Sequence, residues 1–192
     1  MAMPAEPPLK APRAGRLILV VGPSGAGKDT LIDAAVARRA GLARARRVVT
    51  RPEEAGGEDI EAVTPERFEL MERAGAFALS WRAHGLGYGI PEDALAPLAE
   101  GRDVIANVSR RVVATARMRF PGLRVVLVTA SPAVLATRLV ARGREDDDAI
   151  AARIARAADP GPEGEDVTVV RNDGTLDEAR AAFLAALQPE SG

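Results

Sequence analysis

The segment Gly22-Pro23-Ser24-Gly25-Ala26-Gly27-Lys28-Asp29-Thr30 decides the fold of this chain. It follows the apolar run 17–21 and precedes the helical pattern 31–36, so a strand, a glycine-rich loop and a helix succeed one another. The glycines let the backbone curl until successive N–H groups point at phosphate oxygens, and the helix directs its positive end at the same anion. A plain turn between strand and helix would not require Lys28, which supplies a mobile charge for the terminal phosphates. The segment therefore predicts a P-loop that binds a nucleoside triphosphate, with ATP as the expected co-substrate.

The residue after the P-loop lysine departs from the plain motif. Asp29 takes that place, and the hydroxyl group arrives one position later, at Thr30. We expect Thr30 to contact Mg²⁺ directly or through water, with Asp29 near the ion.

Composition narrows the class of protein. The chain has 192 residues, of which 47% are hydrophobic and 28% charged, and its net charge of −1 argues against nucleic-acid or membrane binding. It has no cysteine, and His84 is its only histidine, which excludes a thiol-ligated metal and a multi-histidine metal site. Residues 1–15, rich in Ala and Pro, read as a flexible N-terminal tail. These features predict a cytoplasmic protein, and the oligomeric state is left open, a homodimer included.

Strand and helix patterns alternate along residues 16–188, which predicts a single α/β domain with a mostly parallel sheet covered by helices on both faces. The expected strands are residues 16–21, 45–50, 103–108, 123–129 and 167–171. The expected helices are residues 28–40, 91–100, 110–119, 132–141, 149–158 and 176–187.

Two segments interrupt the alternation. Residues 51–90 contain a polar loop, a short helix at 65–74 and a strand at 77–81, where a substrate-binding insertion would lie. Residues 141–149 are charged and contain a glycine, as expected of a short lid. Arginines cluster around the lid, and phosphoryl transfer requires such cations beyond the P-loop. They are Arg138, Arg142, Arg144 and Arg153.

Over residues 17–187 the chain resembles the guanylate-kinase-like branch of the nucleoside monophosphate kinases. The resemblance implies an acceptor-phosphate site at Arg51 and Tyr88, a lid beginning at Arg138, and an adenine-side loop at Asn172. Besides the P-loop, it is carried by Val49-Thr50-Arg51-Pro52, Gly57-Glu58-Asp59, Tyr88-Gly89, Arg138-Leu139 with Arg142-Gly143, and Arg171-Asn172-Asp173.

Two departures argue against a guanylate kinase. Ser80, followed by Trp81, stands where that branch has the glutamate that reads guanine. Asn107 and Ser109 replace the usual acidic pair at the end of the 103–108 strand. Guanine presents N–H donors, for which carboxylates are the natural acceptors, so the base-reading chemistry is lost.

A closer resemblance links the chain to the ribose 1,5-bisphosphate phosphokinase family. That resemblance implies the reaction of ATP with ribose 1,5-bisphosphate to give ADP and 5-phosphoribosyl 1-diphosphate, in bacterial phosphonate use. It is carried by Gly25-Ala26-Gly27-Lys28-Asp29-Thr30, Arg47-Val48-Val49-Thr50-Arg51-Pro52, Gly56-Gly57-Glu58-Asp59, Ala76-Phe77-Ala78-Leu79-Ser80-Trp81, Ala83-His84-Gly85-Leu86, Tyr88-Gly89-Ile90-Pro91 and Ala106-Asn107-Val108-Ser109-Arg110.

The expected site residues fall into three groups. Lys28, Arg142 and Arg153 are expected to stabilise the transferring phosphoryl group. The nucleotide is expected at Gly22, Pro23, Ser24, Gly25, Ala26, Gly27, Lys28, Asp29, Thr30, Arg138 and Asn172. The acceptor is expected at Arg51, Glu58, Ser80, His84, Tyr88, Asn107, Ser109 and Arg110. For the acceptor group the alternatives are exposed loop charges, a packed tyrosine and a histidine that only structures its loop.

Three other functions compete with this hypothesis. A nucleoside monophosphate kinase of altered base choice would require a carboxylate to read the base. A guanylate-kinase-like module that binds protein partners usually loses the P-loop lysine or the lid arginines, and both are present in this chain. A regulatory P-loop ATPase would have an acidic residue at the strand end that Asn107 occupies.

Overall fold

The computed structural model describes residues 14–51, 60–142 and 161–188. Its strands are β1 (Leu17–Val21), β2 (Leu42–Arg44), β3 (Arg47–Val49), β4 (Ile60–Ala62), β5 (Phe77–Ala83), β6 (Leu86–Pro91), β7 (Asp103–Asn107), β8 (Arg124–Thr129) and β9 (Val167–Arg171). Its α-helices are α1 (Lys28–Arg38), α2 (Pro65–Arg73), α3 (Val113–Arg119), α4 (Pro132–Arg142) and α5 (Leu176–Ala186). Two 3₁₀ helices span Asp93–Leu98 and Arg110–Val112.

A five-stranded sheet in the order β2-β7-β1-β8-β9 forms the centre of the fold. All four of its pairings are parallel. β1 is apolar at every position and completely buried, because helices and loops cover both faces of a parallel sheet. Ile18 and Val20 pack on one face with α1 and α5, whereas Leu17 and Leu19 pack on the other with residues of β5 and α3. These observations confirm the predicted α/β fold class.

A second sheet, in the order β4-β3-β6-β5, was not foreseen from the sequence. β3 pairs in parallel with β4 and antiparallel with β6, and β5 and β6 form an antiparallel hairpin. The single strand predicted at residues 45–50 is wrong in its extent. Of those residues only β3 is a strand, and it belongs to the second sheet, whereas β2, which precedes them at the edge of the main sheet, was not predicted. A short apolar run does not reveal which sheet it will join, because both sheets bury it equally well.

Local structure departs from the sequence prediction in two helical regions. The helix expected at 91–100 is a 3₁₀ helix, Asp93–Leu98, that contains Pro97, which has no N–H to donate to an α-helical hydrogen bond. The helix expected at 110–119 begins as a 3₁₀ turn before α3. The helix expected at 149–158 lies outside the described residues. Within the described ranges, no helix combines the length and apolar character needed to cross a membrane.

Candidate active site

A cleft of about 750 Å³ opens between the P-loop and the second sheet. The carboxyl ends of β1 and β7 form one side of it, and β3, β5 and β6 contribute the other. Ligands of open α/β sheets bind at such carboxyl ends. The lining residues with polar side chains are Ser24, Lys28, Asp29, Thr30, Arg47, Arg51, Trp81, His84, Tyr88, Asn107, Ser109, Arg110 and Arg111.

The P-loop requires its glycines for two different reasons. Gly22, Gly25 and Gly27 have φ angles of 143°, 85° and 87°, a region that side chains rarely adopt. Space is also lacking, because a Cβ atom at Gly22 would lie 1.9 Å from the carbonyl oxygen of Val128. The backbone therefore curls as the sequence predicts, and α1 begins directly after it at Lys28.

Lys28 lies across this loop. Its Nζ donates hydrogen bonds of 2.9 Å to the carbonyl oxygens of Gly22 and Pro23. The ammonium group is thereby held at the cleft wall, at the base of α1, where the helix dipole also favours an anion. Thr30, in the first turn of the same helix, is exposed and lines the cleft.

Asp29 is held by residues from two strands. Nη2 of Arg44 lies 2.8 Å from Oδ1 of Asp29. The side-chain amide of Asn107, which is only 9% exposed, donates to both carboxylate oxygens, at 3.0 and 3.1 Å. Asn107, one of the expected acceptor residues, thus lines the cleft, but its amide N–H groups donate to Asp29.

A stacked pair of rings forms part of the opposite wall. Trp81 and Tyr88 lie with their ring centroids 5.4 Å apart and their planes 6° from parallel. Trp81 is 8% exposed and belongs to the core, so it backs the more exposed Tyr88. Arg51 and His84 line the same side, so the structure places three of the predicted acceptor residues in one wall. His84 also has a left-handed backbone, with φ at 52°.

Ser109 and Arg110 follow the end of β7 and line the cleft beside the P-loop. The hydroxyl oxygen of Ser109 accepts the backbone N–H of Arg111 at 3.3 Å and so caps the short 3₁₀ helix. Arg111 lines the cleft as well, although the sequence analysis did not single it out.

Arg47 is the second site residue that the sequence analysis missed. It is 8% exposed, lines the cleft, and donates through Nη1 to the backbone carbonyl of Asn107 at 3.3 Å. The signal was an arginine at the start of an apolar run, Arg47-Val48-Val49, since an unpaired arginine is expensive to bury.

The prediction that Ser80 binds the acceptor has to be corrected, because Ser80 does not line the cleft. Successive side chains of a strand point to opposite faces, and in β5 Trp81 and Ala83 take the cleft side. The Ser80 hydroxyl instead donates to Oε1 of Glu72 on α2 at 2.7 Å. Hydrogen bonds from Arg82 and then from Ser80 lower the pKa of the Glu72 carboxyl.

The prediction that Asn172 binds the nucleotide also has to be corrected, since Asn172 is 3% exposed and does not line the cleft. Its Nδ2 donates to the carbonyl oxygen of Ala26 at 2.8 Å, and its Oδ1 accepts from Nη2 of Arg138 at 3.4 Å. A Cβ atom on Gly27 would lie 2.6 Å from Nδ2. Asn172 therefore fastens the P-loop from behind and joins it to α4.

Several expected residues cannot be placed. Glu58 and Arg153 lie outside the described residues, as do Arg144 and most of the segment expected to form the lid. Arg142 is the last residue of α4, and its side chain is not described.

The oxygen donors near the P-loop suit a hard cation. Asp29 and Thr30 offer a carboxylate and a hydroxyl group, and Mg²⁺ prefers oxygen ligands. Among the described residues, no three His, Cys, Asp or Glu side chains gather into a metal cage. Mg²⁺ in kinases does not require one, because it is held by one or two carboxylates together with substrate phosphates.

Similar solved structures share the fold. Guanylate kinase from Anaplasma phagocytophilum matches with a TM-score of 0.65 at 16% identity, covering 91% of this chain and 85% of that one. A gluconokinase from Sinorhizobium meliloti matches with a TM-score of 0.53 at 21% identity, covering 91% and 93%. At these identities the likeness shows a P-loop kinase fold and nothing about substrate.

Proteins of similar sequence share a much higher identity with this chain than these solved structures do. No family model matches the chain. The ribose 1,5-bisphosphate phosphokinase PhnN of Pseudomonas paraeruginosa is 51% identical over 178 residues, which cover 90% of this chain and 95% of that protein. That of Acidiphilium cryptum is 53% identical over 180 residues, covering 92% and 94%. A bifunctional ribose 1,5-bisphosphokinase-thymidine phosphorylase of Cupriavidus necator is 47% identical over 175 residues, which are 29% of its length. The chain belongs to the ribose 1,5-bisphosphate phosphokinase family.

Proposed function

We propose that this protein transfers the γ-phosphoryl group of ATP to the 1-phosphate of ribose 1,5-bisphosphate, which yields ADP and 5-phosphoribosyl 1-diphosphate. The observation that carries the proposal is the 51% identity to the Pseudomonas enzyme over 95% of that enzyme's length. The family resemblance places the reaction in phosphonate breakdown.

The charge of the cleft suits two polyanions. Among the described lining residues, five are cationic and Asp29 alone is acidic. ATP and a sugar bisphosphate repel each other strongly, so bringing them into contact requires cations on more than one wall. The cations are Lys28, Arg47, Arg51, Arg110 and Arg111.

The chemistry requires no general base. An oxygen of the acceptor phosphate is already ionised near neutral pH, so it attacks the γ-phosphorus without first losing a proton. As the new P–O bond forms, the bond from the γ-phosphorus to the β,γ-bridging oxygen breaks, and its electron pair leaves with ADP. The protein is left with positioning the two reactants and neutralising their charge.

Lys28 and the backbone N–H groups of residues 25–30 are the proposed holders of the β- and γ-phosphates. Lys28 Nζ would exchange its two carbonyl acceptors for phosphate oxygens, which are stronger acceptors because they are charged. Thr30 would hold Mg²⁺, directly or through water, with Asp29 near the ion, and bound Mg²⁺ neutralises charge on the β- and γ-phosphates. Arg142 and Arg153 remain proposed partners of the transferring group.

Arg138 is the proposed nucleotide contact from α4. Its Nη1 is buried and has no hydrogen-bond partner within the described part of the chain. A buried guanidinium nitrogen without an acceptor is costly, and an anion of the nucleotide would supply one.

Arg51, Tyr88 and Arg110 are the proposed contacts of the acceptor phosphates, with His84, Asn107 and Ser109 on the sugar. All six line the cleft, Arg51, His84 and Tyr88 on the side of the second sheet and the others at the end of β7 beside the P-loop. Glu58, which lies outside the described residues, is proposed for the acceptor site as well.

The cleft also argues against guanine as the acceptor's base. Reading guanine requires acceptors for its N–H groups. Of the described lining residues only Asp29 has a carboxylate, and that carboxylate already accepts from Arg44 and Asn107. Ser80, at the position expected to read the base, faces Glu72 instead.

The test is ADP release from MgATP with ribose 1,5-bisphosphate as acceptor, run in parallel with GMP, and with the product identified by mass spectrometry. We expect turnover with the ribose bisphosphate alone and formation of 5-phosphoribosyl 1-diphosphate. Turnover with GMP alone would contradict the proposal in favour of a nucleotide kinase. No turnover with either acceptor would contradict it in favour of an inactive binding module.

A further inference from the structure

Asp29 and Asn107 form one hydrogen-bonded unit at the base of the cleft. Asp29 lies in the first turn of α1, and Asn107 is the last residue of β7. The two amide–carboxylate distances of 3.0 and 3.1 Å join residues that are 78 positions apart in the chain. Because Asn107 is 9% exposed, most of this unit is shielded from water.

The unit reverses the usual distribution of charge in P-loop enzymes. There, the P-loop residue that binds Mg²⁺ is a neutral Ser or Thr, and the carboxylate lies at the end of a neighbouring strand. In this chain the carboxylate is on the helix and a neutral amide ends the strand. In the sequence these two departures are far apart, whereas in the structure the amide of Asn107 donates to both carboxylate oxygens of Asp29.

Electrostatics explains why the two departures go together. An aspartate at 107 would place two carboxylates about 3 Å apart, where their like charges repel each other. The amide of Asn107 avoids that repulsion and donates to the carboxylate instead. Its own backbone carbonyl accepts from the buried Arg47, which fixes the end of the strand.

Asp29 also keeps access to the cleft. Its side chain is 35% exposed although Arg44 and Asn107 both donate to it. Mg²⁺ retains several waters in kinase sites, and a carboxylate held at this place can bind such a water or the ion itself.

We propose that Asp29 supplies the carboxylate of the MgATP site, and that Asn107 and Arg44 are positioning residues that hold it toward the cleft. The site still has one carboxylate and one neutral side chain, but the carboxylate is on α1 and the neutral amide is at the end of β7. The inference rests on the proposed use of MgATP, but it is independent of the identity of the acceptor.

The test measures equilibrium binding of ATP by calorimetry, once with Mg²⁺ and once with EDTA, so that no turnover is involved. For Asp29→Asn we expect the affinity gained from Mg²⁺ to fall by about 10- to 100-fold. Binding of metal-free ATP should be unchanged or tighter, because a negative charge beside the phosphates is removed. Mn²⁺ titration of the ATP complex, followed by electron paramagnetic resonance, should show the same loss.

Asp33→Asn is the matched control. Asp33 is on the same helix, is also paired with Arg44, and has a side chain that is 63% exposed. The Asp33→Asn variant removes a carboxylate that pairs with Arg44 but does not line the cleft. We therefore expect the affinities for ATP with Mg²⁺ and with EDTA to stay at the wild-type values. Thermal unfolding of every variant checks that the fold is intact.

The exchange variant, Asp29→Asn with Asn107→Asp, tests the reversal itself. It returns the carboxylate to the strand and the amide to the helix, so we expect it to recover a large part of the Mg²⁺-dependent affinity that Asp29→Asn loses. Recovery would support the proposal. An Asp29→Asn variant that keeps the full Mg²⁺ effect, or weakens both forms of ATP equally, would overturn it. If the exchange variant gains no more ATP affinity from Mg²⁺ than Asp29→Asn does, the proposed exchange of roles between residues 29 and 107 is wrong.

Discussion

At the scale of single residues, Lys28 is a lysine in a chain whose other basic residues are nearly all arginines. Lys28 is one of two lysines among 26 basic residues, the other being Lys10. An ammonium group on a flexible stem can turn from the carbonyls of Gly22 and Pro23 to a phosphate, which a planar guanidinium does less readily.

Replacing Lys28 by alanine should abolish turnover and leave the fold intact. Its side chain faces the cleft and makes its described hydrogen bonds to the loop, so the core is not disturbed. Steady-state ADP release and thermal unfolding are the measurements. Lys10→Ala, which removes the only other lysine and lies outside the described residues, should keep wild-type turnover. Near-normal activity of Lys28→Ala would contradict the P-loop assignment.

Asn172 gives a second prediction at this scale. Asn172→Asp keeps an acceptor for Arg138 but removes the donor to the Ala26 carbonyl, which is then unsatisfied. We expect a loss of about 1–3 kcal/mol in the free energy of unfolding and a raised KM for ATP. Urea unfolding and initial rates at varied ATP measure these. An unchanged KM for ATP would show that Asn172 does not fasten the P-loop.

At the scale of elements, the β5–β6 hairpin forms part of the cleft wall opposite the P-loop, where we propose that the acceptor binds. Ala83 pairs with Leu86, so His84 and Gly85 form a two-residue turn in which both have positive φ, at 52° and 74°. Such a turn follows the twist of the strands and is normally occupied by Asn and Gly. A histidine there accepts backbone strain, and its side chain lines the cleft.

Replacing His84 by glycine separates the role of the side chain from that of the turn. Glycine adopts this backbone without strain, so we expect stability to be maintained while the KM for ribose 1,5-bisphosphate rises. Gly85→Ala is the matched control. It introduces a left-handed alanine whose Cβ would meet no atom of the described residues within 4 Å, and it should cost about 1 kcal/mol of stability with little change in KM. If His84→Gly leaves the KM unchanged, the histidine serves only the turn.

At the scale of the whole molecule, Asp103 joins distant parts of the chain. It accepts hydrogen bonds from the backbone N–H of Arg16 at 2.8 Å and from the guanidinium groups of Arg16 and Arg39 at 2.7 Å each. Both arginines also donate to the carbonyl oxygen of Leu187, at the end of α5. The cluster therefore links β1, β7, α1 and α5 on the side of the sheet opposite the cleft.

The charge of Asp103 makes this link dependent on pH. Burial alone would raise the pKa of the Asp103 carboxyl, but the hydrogen bonds from Arg16 and the charges of Arg16 and Arg39 together lower it below its ordinary value of 3.8. The unfolded chain therefore binds a proton at higher pH than the folded one. The stabilisation is complete above the unfolded pKa and is lost as the pH falls through the folded pKa.

We expect Asp103→Asn to lower the free energy of unfolding by about 2 kcal/mol at pH 7. The difference from wild type should shrink as the pH falls below 4, because the Asp103 carboxyl of the unfolded wild-type chain then takes up a proton before that of the folded chain does. Urea unfolding at pH 7 and pH 3.5 measures both. A difference that is the same at the two pH values would show that the charge of Asp103 contributes nothing.

Much of the fold could be predicted because its signals are local. β1, the P-loop and α1 follow one another within 22 residues, so periodicity and glycine spacing suffice to identify them. The limits of β7, β8 and β9 agree with the sequence prediction to within one residue. Of the second sheet only β3, within the strand expected at 45–50, and part of β5, at residues 77–81, were predicted. β4 has three residues and β6 contains two glycines, so their patterns are weak and only their partners identify them as strands.

By itself, the sequence determined the P-loop, the parallel α/β fold and the family, because these depend on residues that are neighbours in the chain. Only the tertiary structure decided which side chains meet. The strand alternation of β5 turns Ser80 away from the cleft and Trp81 toward it, and burial converts Asn172 from an expected nucleotide contact into a support of the P-loop. It likewise joins Asp29 to Asn107 across 78 positions. Such contacts form only when the sheet assembles and brings the ends of its strands together. A local sequence pattern does not show which distant residues will then be neighbours.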